Sequence, residues 1–191
     1  MSCKVLMVTS FKGGVGKSSS VQAIAYNMAA GFGKKVLVID IDPQANTTIV
    51  FSKIDLMELL RQNEGITQRG EHPVTIEDLL IDAGIDIKDA IQKTEYEGLE
   101  IIRSLPTLAA VEEQLKADIR TPQQFRLRNQ LSKLDPDEYD YCLIDCPPAF
   151  NAASSAALIA ADAVLIPVKL DAFALEGMAN LLQQIQNMRR I

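Results

Sequence analysis

Cysteine and histidine are scarce in this chain of 191 residues, and each shortage excludes something. Cys3, Cys142 and Cys146 are too few and too scattered for a disulfide framework. His72, the single histidine, stands in a polar stretch with no ligand partner in view and reads as a surface residue. Zinc would need further thiolates or histidines near Cys142 and Cys146, and the chain offers none there, so both read as structural thiols. No apolar run is long enough to span a bilayer. The apolar run near the N-terminus is too short for a secretory leader and passes directly into a glycine-rich loop. A surplus of basic residues is also missing: 19 Lys and Arg stand against 25 Asp and Glu, a formal net charge of −6. Bulk charge therefore does not indicate a nucleic-acid binder, although a local basic patch could still exist. Internal repeats, low-complexity tracts and long linkers are absent as well. Together these features suggest a cytoplasmic protein. Its 48% hydrophobic and 23% charged residues are ordinary for a globular chain, read here as one domain over residues 1–191.

What the chain does have is Lys12-Gly13-Gly14-Val15-Gly16-Lys17-Ser18-Ser19. Val5-Leu6-Met7-Val8 precedes it, and a helical pattern (Val21, Ile24, Ala25, Met28, Ala29) follows. Strand, glycine loop and helix in that order turn backbone N–H groups toward a shared point, and the helix N-terminus adds partial positive charge. The natural occupant is a polyphosphate. Glycine lets the backbone approach the anion closely and accommodates φ > 0. Lys17 would reach the β- and γ-phosphates, and Ser18 would place its hydroxyl on Mg²⁺. The ordinary P-loop pattern has glycine where this chain has Phe11; a second lysine, Lys12, stands just before the glycines.

The rest alternates strand and helix. Val36-Leu37-Val38-Ile39 is a second continuously apolar strand ending at Asp40, and Asp140 to Asp145 is a third. Such strands are buried on both faces of a parallel sheet. This predicts an α/β, P-loop NTPase-like three-layer fold with a mainly parallel sheet. The loop Asp40-Ile41-Asp42-Pro43-Gln44 puts two carboxylates at a strand's C-terminal end, where ligands bind in open α/β sheets. The middle of the chain says less. Helices are expected over residues 51–61, 75 onward (a Thr75 cap with an acid three residues on), 86–92, 108–117 and from Thr121-Pro122, and a strand over 99–103. Glu112, Glu113, Lys116, Arg126, Arg128 and Lys133 read as a solvated face. Residues 151–161 form a small-residue helix, 163–168 a fourth apolar strand, and Leu175, Met178, Leu182, Ile185 and Met188 share one face of a last helix.

Lys-Gly-Gly-x-Gly-Lys-Ser resembles the deviant Walker A motif of the ParA/MinD ATPases. The resemblance extends through Asp40 to Thr48 (switch I), Asp145-Cys146-Pro147-Pro148 (Walker B and switch II) and the Pro-Val strand end before Ala174-Leu175-Glu176-Gly177. It is greatest to small ParA, Soj-like partition proteins. The resemblance implies ATP and Mg²⁺ as ligands. Residues 12–19 would cradle the nucleotide, and Ser18, Asp40 and Asp145 would stand at or near the metal. Asp42 would orient the attacking water, and Lys12 would cross to a partner's nucleotide in an ATP-dependent homodimer. It further implies slow hydrolysis to ADP and phosphate, non-specific DNA binding with nucleoid association, and a centromere-binding, ParB-type partner in plasmid or chromosome partition. Family members usually continue beyond the point matching Ile191, so the chain is expected to be short at its C-terminus, with an exposed sheet edge. A MinD-like regulator acting on a protein or membrane scaffold, a metabolic P-loop ligase and a non-enzymatic nucleotide-binding module are the alternatives. The last helix has few cations, which disfavours membrane recruitment.

Overall fold

The computed structural model describes residues 3–54, 73–117, 122–169 and 174–188. The strands are β1 (Lys4–Val8), β2 (Val36–Asp40), β3 (Ile91–Lys93), β4 (Leu99–Ile102), β5 (Tyr141–Asp145) and β6 (Ala163–Leu165). The helices are α1 (Lys17–Tyr26), α2 (Asn46–Ser52), α3 (Ile76–Ile81), α4 (Ile87–Ala90), α5 (Leu108–Ala117), α6 (Arg126–Leu131), α7 (Ala152–Ala160) and α8 (Ala174–Met188). The strands form one sheet in the order β3-β4-β2-β5-β1-β6, parallel throughout except for the antiparallel pair β3–β4. This is the α/β, P-loop NTPase-like fold that the strand–helix alternation predicts.

The sheet is central because its strands are apolar on both faces. Alternate residues feed two cores. Val5, Met7, Leu37, Ile39, Cys142 and Ile144 pack with Leu108, Leu127, Ala153 and Ala157 on one side. Val8, Val36, Val38, Ile101 and Leu143 pack with Val21 and Ala25 of α1 on the other. Register follows: Val8 pairs with Asp145 across β1–β5, and Asp40 pairs with Asp145 across β2–β5. Both carboxylates end the rows that carry Val38 and Leu143, so they face the same side as α1.

Several local expectations hold and others are corrected. The Thr75 N–H donates to Asp78 at 2.9 Å, the anticipated acid three residues past the cap. Asn151 caps α7 by accepting from the Ser154 N–H at 2.8 Å. The helix expected to reach Gln92 stops at Ala90, and Ile91–Lys93 becomes an edge strand hydrogen-bonded to β4. The helix expected from Phe51 instead begins at Asn46 and ends at Ser52; residues 55–61 lie outside the described residues. The fourth strand closes at Leu165, before Pro167. Arg126 is not on a solvated face: it is buried, and its guanidinium donates to the carbonyls of Leu80 and of Ile81, capping the end of α3. Arg128 and Lys133 are exposed as expected, while His72 and Thr121 lie outside the described residues. β6 forms an edge of the described sheet. Among the described residues, no helix is long and apolar enough to cross a membrane.

Candidate nucleotide-binding site

β1 delivers the glycine loop to the C-terminal edge of the sheet. Thr9 is still tied in, its N–H donating to the Leu165 carbonyl at 3.1 Å, and then the chain leaves the sheet until α1 begins at Lys17. Gly14 and Gly16 hold φ of 71° and 87°, the left-handed region that side-chain-bearing residues avoid. A Cβ at Gly13, Gly14 or Gly16 would meet no described heavy atom within 4 Å. The loop therefore wraps open space rather than protein. The first turn of α1 reads Lys17-Ser18-Ser19-Ser20, with no acid to cancel the helix-end partial charge.

That space is a cleft of about 540 Å³, lined by Gly13, Gly14, Gly16, Lys17, Ser18, Ser19, Gln22, Asp42, Gln44 and Pro148 among others. Lys17 is buried in its wall, only 7% exposed. Asp42 lines the same cleft, held by the Gln44 N–H donating to its Oδ1 at 2.9 Å. The structure thus brings most of the residues singled out in the sequence into one cavity. Lys12 and Val15 line a second cavity instead, of about 220 Å³, on the far side of the loop with Phe11, Ile166, Pro167 and Val168. Lys12 is exposed.

Asp40 and Asp145 end β2 and β5, and neither has exposed surface. Asp40 is fully engaged by its own chain. Its Oδ1 accepts from the Asp42 N–H at 3.0 Å, and its Oδ2 accepts from both the N–H and the hydroxyl of Thr48 at 2.8 Å. Asp145 differs. Its Oδ2 accepts from the Thr47 hydroxyl at 2.7 Å, while its Oδ1 is buried with no hydrogen-bond partner among the described residues. Burial pushes both carboxyls above the usual range, and Asp40 rises further through repulsion from Asp145. The Thr47 hydrogen bond, the nearby Ser18 hydroxyl and the charge of Lys17 pull Asp145 back down, against repulsion from Asp42. Asp145 Oδ1 and the Ser18 hydroxyl fit Mg²⁺, a hard cation that takes one or two carboxylates and fills its remaining positions with water and phosphate oxygens. Among the described residues, no group of three or more His, Cys, Asp and Glu forms a self-sufficient metal cage.

Thr47, Thr48 and Gln22 are the contributors that sequence reasoning missed. The signal was present as paired hydroxyls just after the acidic loop, but hydroxyls at a helix start read equally well as caps.

The sequence family described as an AAA domain matches residues 3–191. The chain belongs to this family, among its ParA-like members. It is 36% identical over 187 residues to the chromosome partitioning protein ParA of Caulobacter vibrioides, covering 97% of this chain and 63% of that protein. The chain thus spans about 63% of the length of the curated relatives it matches first. Among solved structures of similar fold is a putative plasmid partition protein from Borrelia burgdorferi B31 bound to AMPPNP. It is 27% identical with a TM-score of 0.75, and the match covers 100% of this chain and 73% of that one. Another is cobyrinic acid a,c-diamide synthase from Mycobacterium smegmatis with an ATP analogue and magnesium. It is 28% identical with a TM-score of 0.80, covering 99% of this chain and 69% of the synthase.

Proposed function

We propose that residues 1–191 form a single ATP-binding domain of a ParA-type partition ATPase, which hydrolyses ATP to ADP and phosphate and switches between monomer and ATP-bound homodimer. The observation that carries this reading is the single cleft that gathers an open glycine cradle, the Lys17 ammonium and Asp42, together with a buried and unpaired oxygen of Asp145 at the end of β5. Binding of ATP analogues by the Borrelia partition protein and by the Mycobacterium synthase supports it.

In this reading the backbone N–H groups of residues 13–19 and the Lys17 ammonium bind the polyphosphate. Ser18 and Asp145 would hold Mg²⁺, which when bound neutralises charge on the phosphate oxygens. Asp42 orients the attacking water and takes its proton. Asp40 acts mainly by fixing the Asp42 loop, and stands near the metal's water shell. Lys12 is exposed and lines a different cavity from its own chain's cleft, which supports a role toward the nucleotide of a second copy, stabilising charge as an arginine finger does. Hydrolysis then separates the copies. The cytoplasmic switch would act in plasmid or chromosome partition, binding DNA non-specifically as an ATP dimer and answering to a centromere-binding, ParB-type protein.

The likeness to the diamide synthase favours a second reading, a metabolic ligase that spends ATP on a small acceptor. Turnover measurements separate the two. Partition predicts hydrolysis stimulated by duplex DNA with a ParB-type protein, together with ATP-dependent DNA binding that weakens steeply with salt. Stimulation by an added small carboxylate or amine, with DNA inert, would overturn the partition reading. Binding to anionic vesicles in place of DNA would favour a MinD-like regulator.

A further inference from the structure

Thr47 has no exposed surface and sits in the first turn of α2, between the glycine loop's helix and the end of β5. Its hydroxyl accepts from Gln22 Nε2 at 3.2 Å and donates to Asp145 Oδ2 at 2.7 Å. A hydroxyl has one proton to give, and the Gln22 amide nitrogen can only donate. The sense of the chain is therefore fixed: Gln22 to Thr47 to Asp145. Gln22 stands on α1 and lines the cleft, so the chain begins on the helix that carries Lys17 and Ser18. Thr48, the next residue, is bound in the same way to Asp40. One turn of helix thus grips both strand-end carboxylates, but only Asp145 keeps an oxygen unpartnered. Holding one oxygen stops the carboxylate from turning about its last bond and determines which oxygen stays available.

We propose that Thr47 is a positioning residue for Asp145: its hydroxyl, oriented by Gln22, holds Oδ2 so that Oδ1 is presented to the divalent ion that accompanies the nucleotide. The proposal rests on the nucleotide reading above. Partners that orient metal ligands typically change metal affinity by about 10–100-fold when removed. A role confined to packing α2 on the sheet would change stability instead.

The test is a Mg²⁺ titration of the full chain with a fluorescent ATP analogue, comparing wild type, Thr47→Val and Thr47→Ser, with melting temperatures recorded alongside. Valine keeps the shape and removes the hydroxyl; serine keeps the hydroxyl. Thr47→Val should raise the Mg²⁺ concentration at half-saturation by about tenfold or more, with nucleotide binding in EDTA unchanged. Thr47→Ser should return the midpoint toward wild type. Gln22→Ala, which loosens the hydroxyl from the cleft side and leaves the core intact, should move the midpoint the same way by less. A wild-type midpoint in Thr47→Val, or equal shifts in the valine and serine variants, would overturn the proposal. If Thr47→Val fails to fold, an unshifted Gln22→Ala overturns it alone. A wild type that binds no analogue, with or without Mg²⁺, would defeat the nucleotide reading itself; a wild type that binds it without regard to Mg²⁺ would overturn the role given to Asp145 and Thr47 alone.

Discussion

Asp40 and Asp145 are register partners at the ends of neighbouring parallel strands, yet their carboxylates are used in opposite ways. Asp40 accepts three hydrogen bonds from residues of its own loop and helix, while Asp145 accepts from Thr47 and keeps a buried oxygen unpaired. An unpaired carboxylate oxygen in a protein interior is costly, on the order of 1–3 kcal/mol or more. It is expected where a ligand will occupy it. The saturated neighbour braces the loop that carries Asp42, and the unsaturated one keeps an acceptor available.

Two glycine substitutions separate binding from folding. At Gly98, φ is +77° and a Cβ would stand 2.9 Å from the Lys34 carbonyl oxygen, so Gly98→Ala should lower stability by about 1–3 kcal/mol. Gly13 has an ordinary φ and open space where its Cβ would go. Gly13→Ala should therefore melt near wild type but weaken nucleotide binding, because Gly13 lines the cleft and an added methyl group there competes with the phosphates for space. Thermal melts and ATP-analogue titrations on both variants check this pair.

Lys12→Ala tests the second lysine. Because Lys12 lines the cavity beyond the loop and not the nucleotide cleft, binding of ATP by a single chain should persist. Turnover should fall by on the order of 10³-fold, the low end of what a charge supplied across an interface contributes to phosphoryl transfer. Unchanged turnover would remove Lys12 from the chemistry.

Glu77 gives a prediction about stability rather than nucleotide binding. It is buried in the first turn of α3, with Oε1 accepting from the Leu105 N–H at 2.6 Å and Oε2 unpartnered among the described residues. Burial pushes its carboxyl up from 4.5 to about 7. The folded state thus favours the protonated acid, so this group's contribution is whole below its unfolded value and is lost as pH rises through about 7. The loss is on the order of 3 kcal/mol. Glu77→Gln keeps an acceptor for Leu105 and cannot ionise. It should match wild type at pH 4.5 and exceed it at pH 8.5 in denaturant melts; the same difference at both pH values would contradict this.

The legible part of the molecule was the part fixed by short-range chemistry. The apolar runs of β1, β2 and β5 are buried on both faces, and such strands show plainly in sequence. The glycine loop announced itself because few other structures need three glycines and a lysine between a strand and a helix. β3 was missed because Ile91–Lys93 has no strand pattern of its own and is a strand only through pairing with β4. Arg126 was misread because its partners are the carbonyls of Leu80 and Ile81, which a side-chain pattern does not display. Thr47 and Thr48 were on the page as residues, but the strand register that brings Asp145 beside Asp40 is needed to see what they hold.

The partition reading requires a switch between two assembly states. The direct measurement is the mass in solution by light scattering of Asp42→Ala, with ADP–Mg²⁺ and with ATP–Mg²⁺. Asp42 lines the cleft but stands outside the hydrogen bonds that hold Asp145, so its loss should stop hydrolysis and leave the ATP state populated. A dimer with ATP and a monomer with ADP is the predicted result. A single mass in both, with nucleotide verified as bound, would contradict the switch.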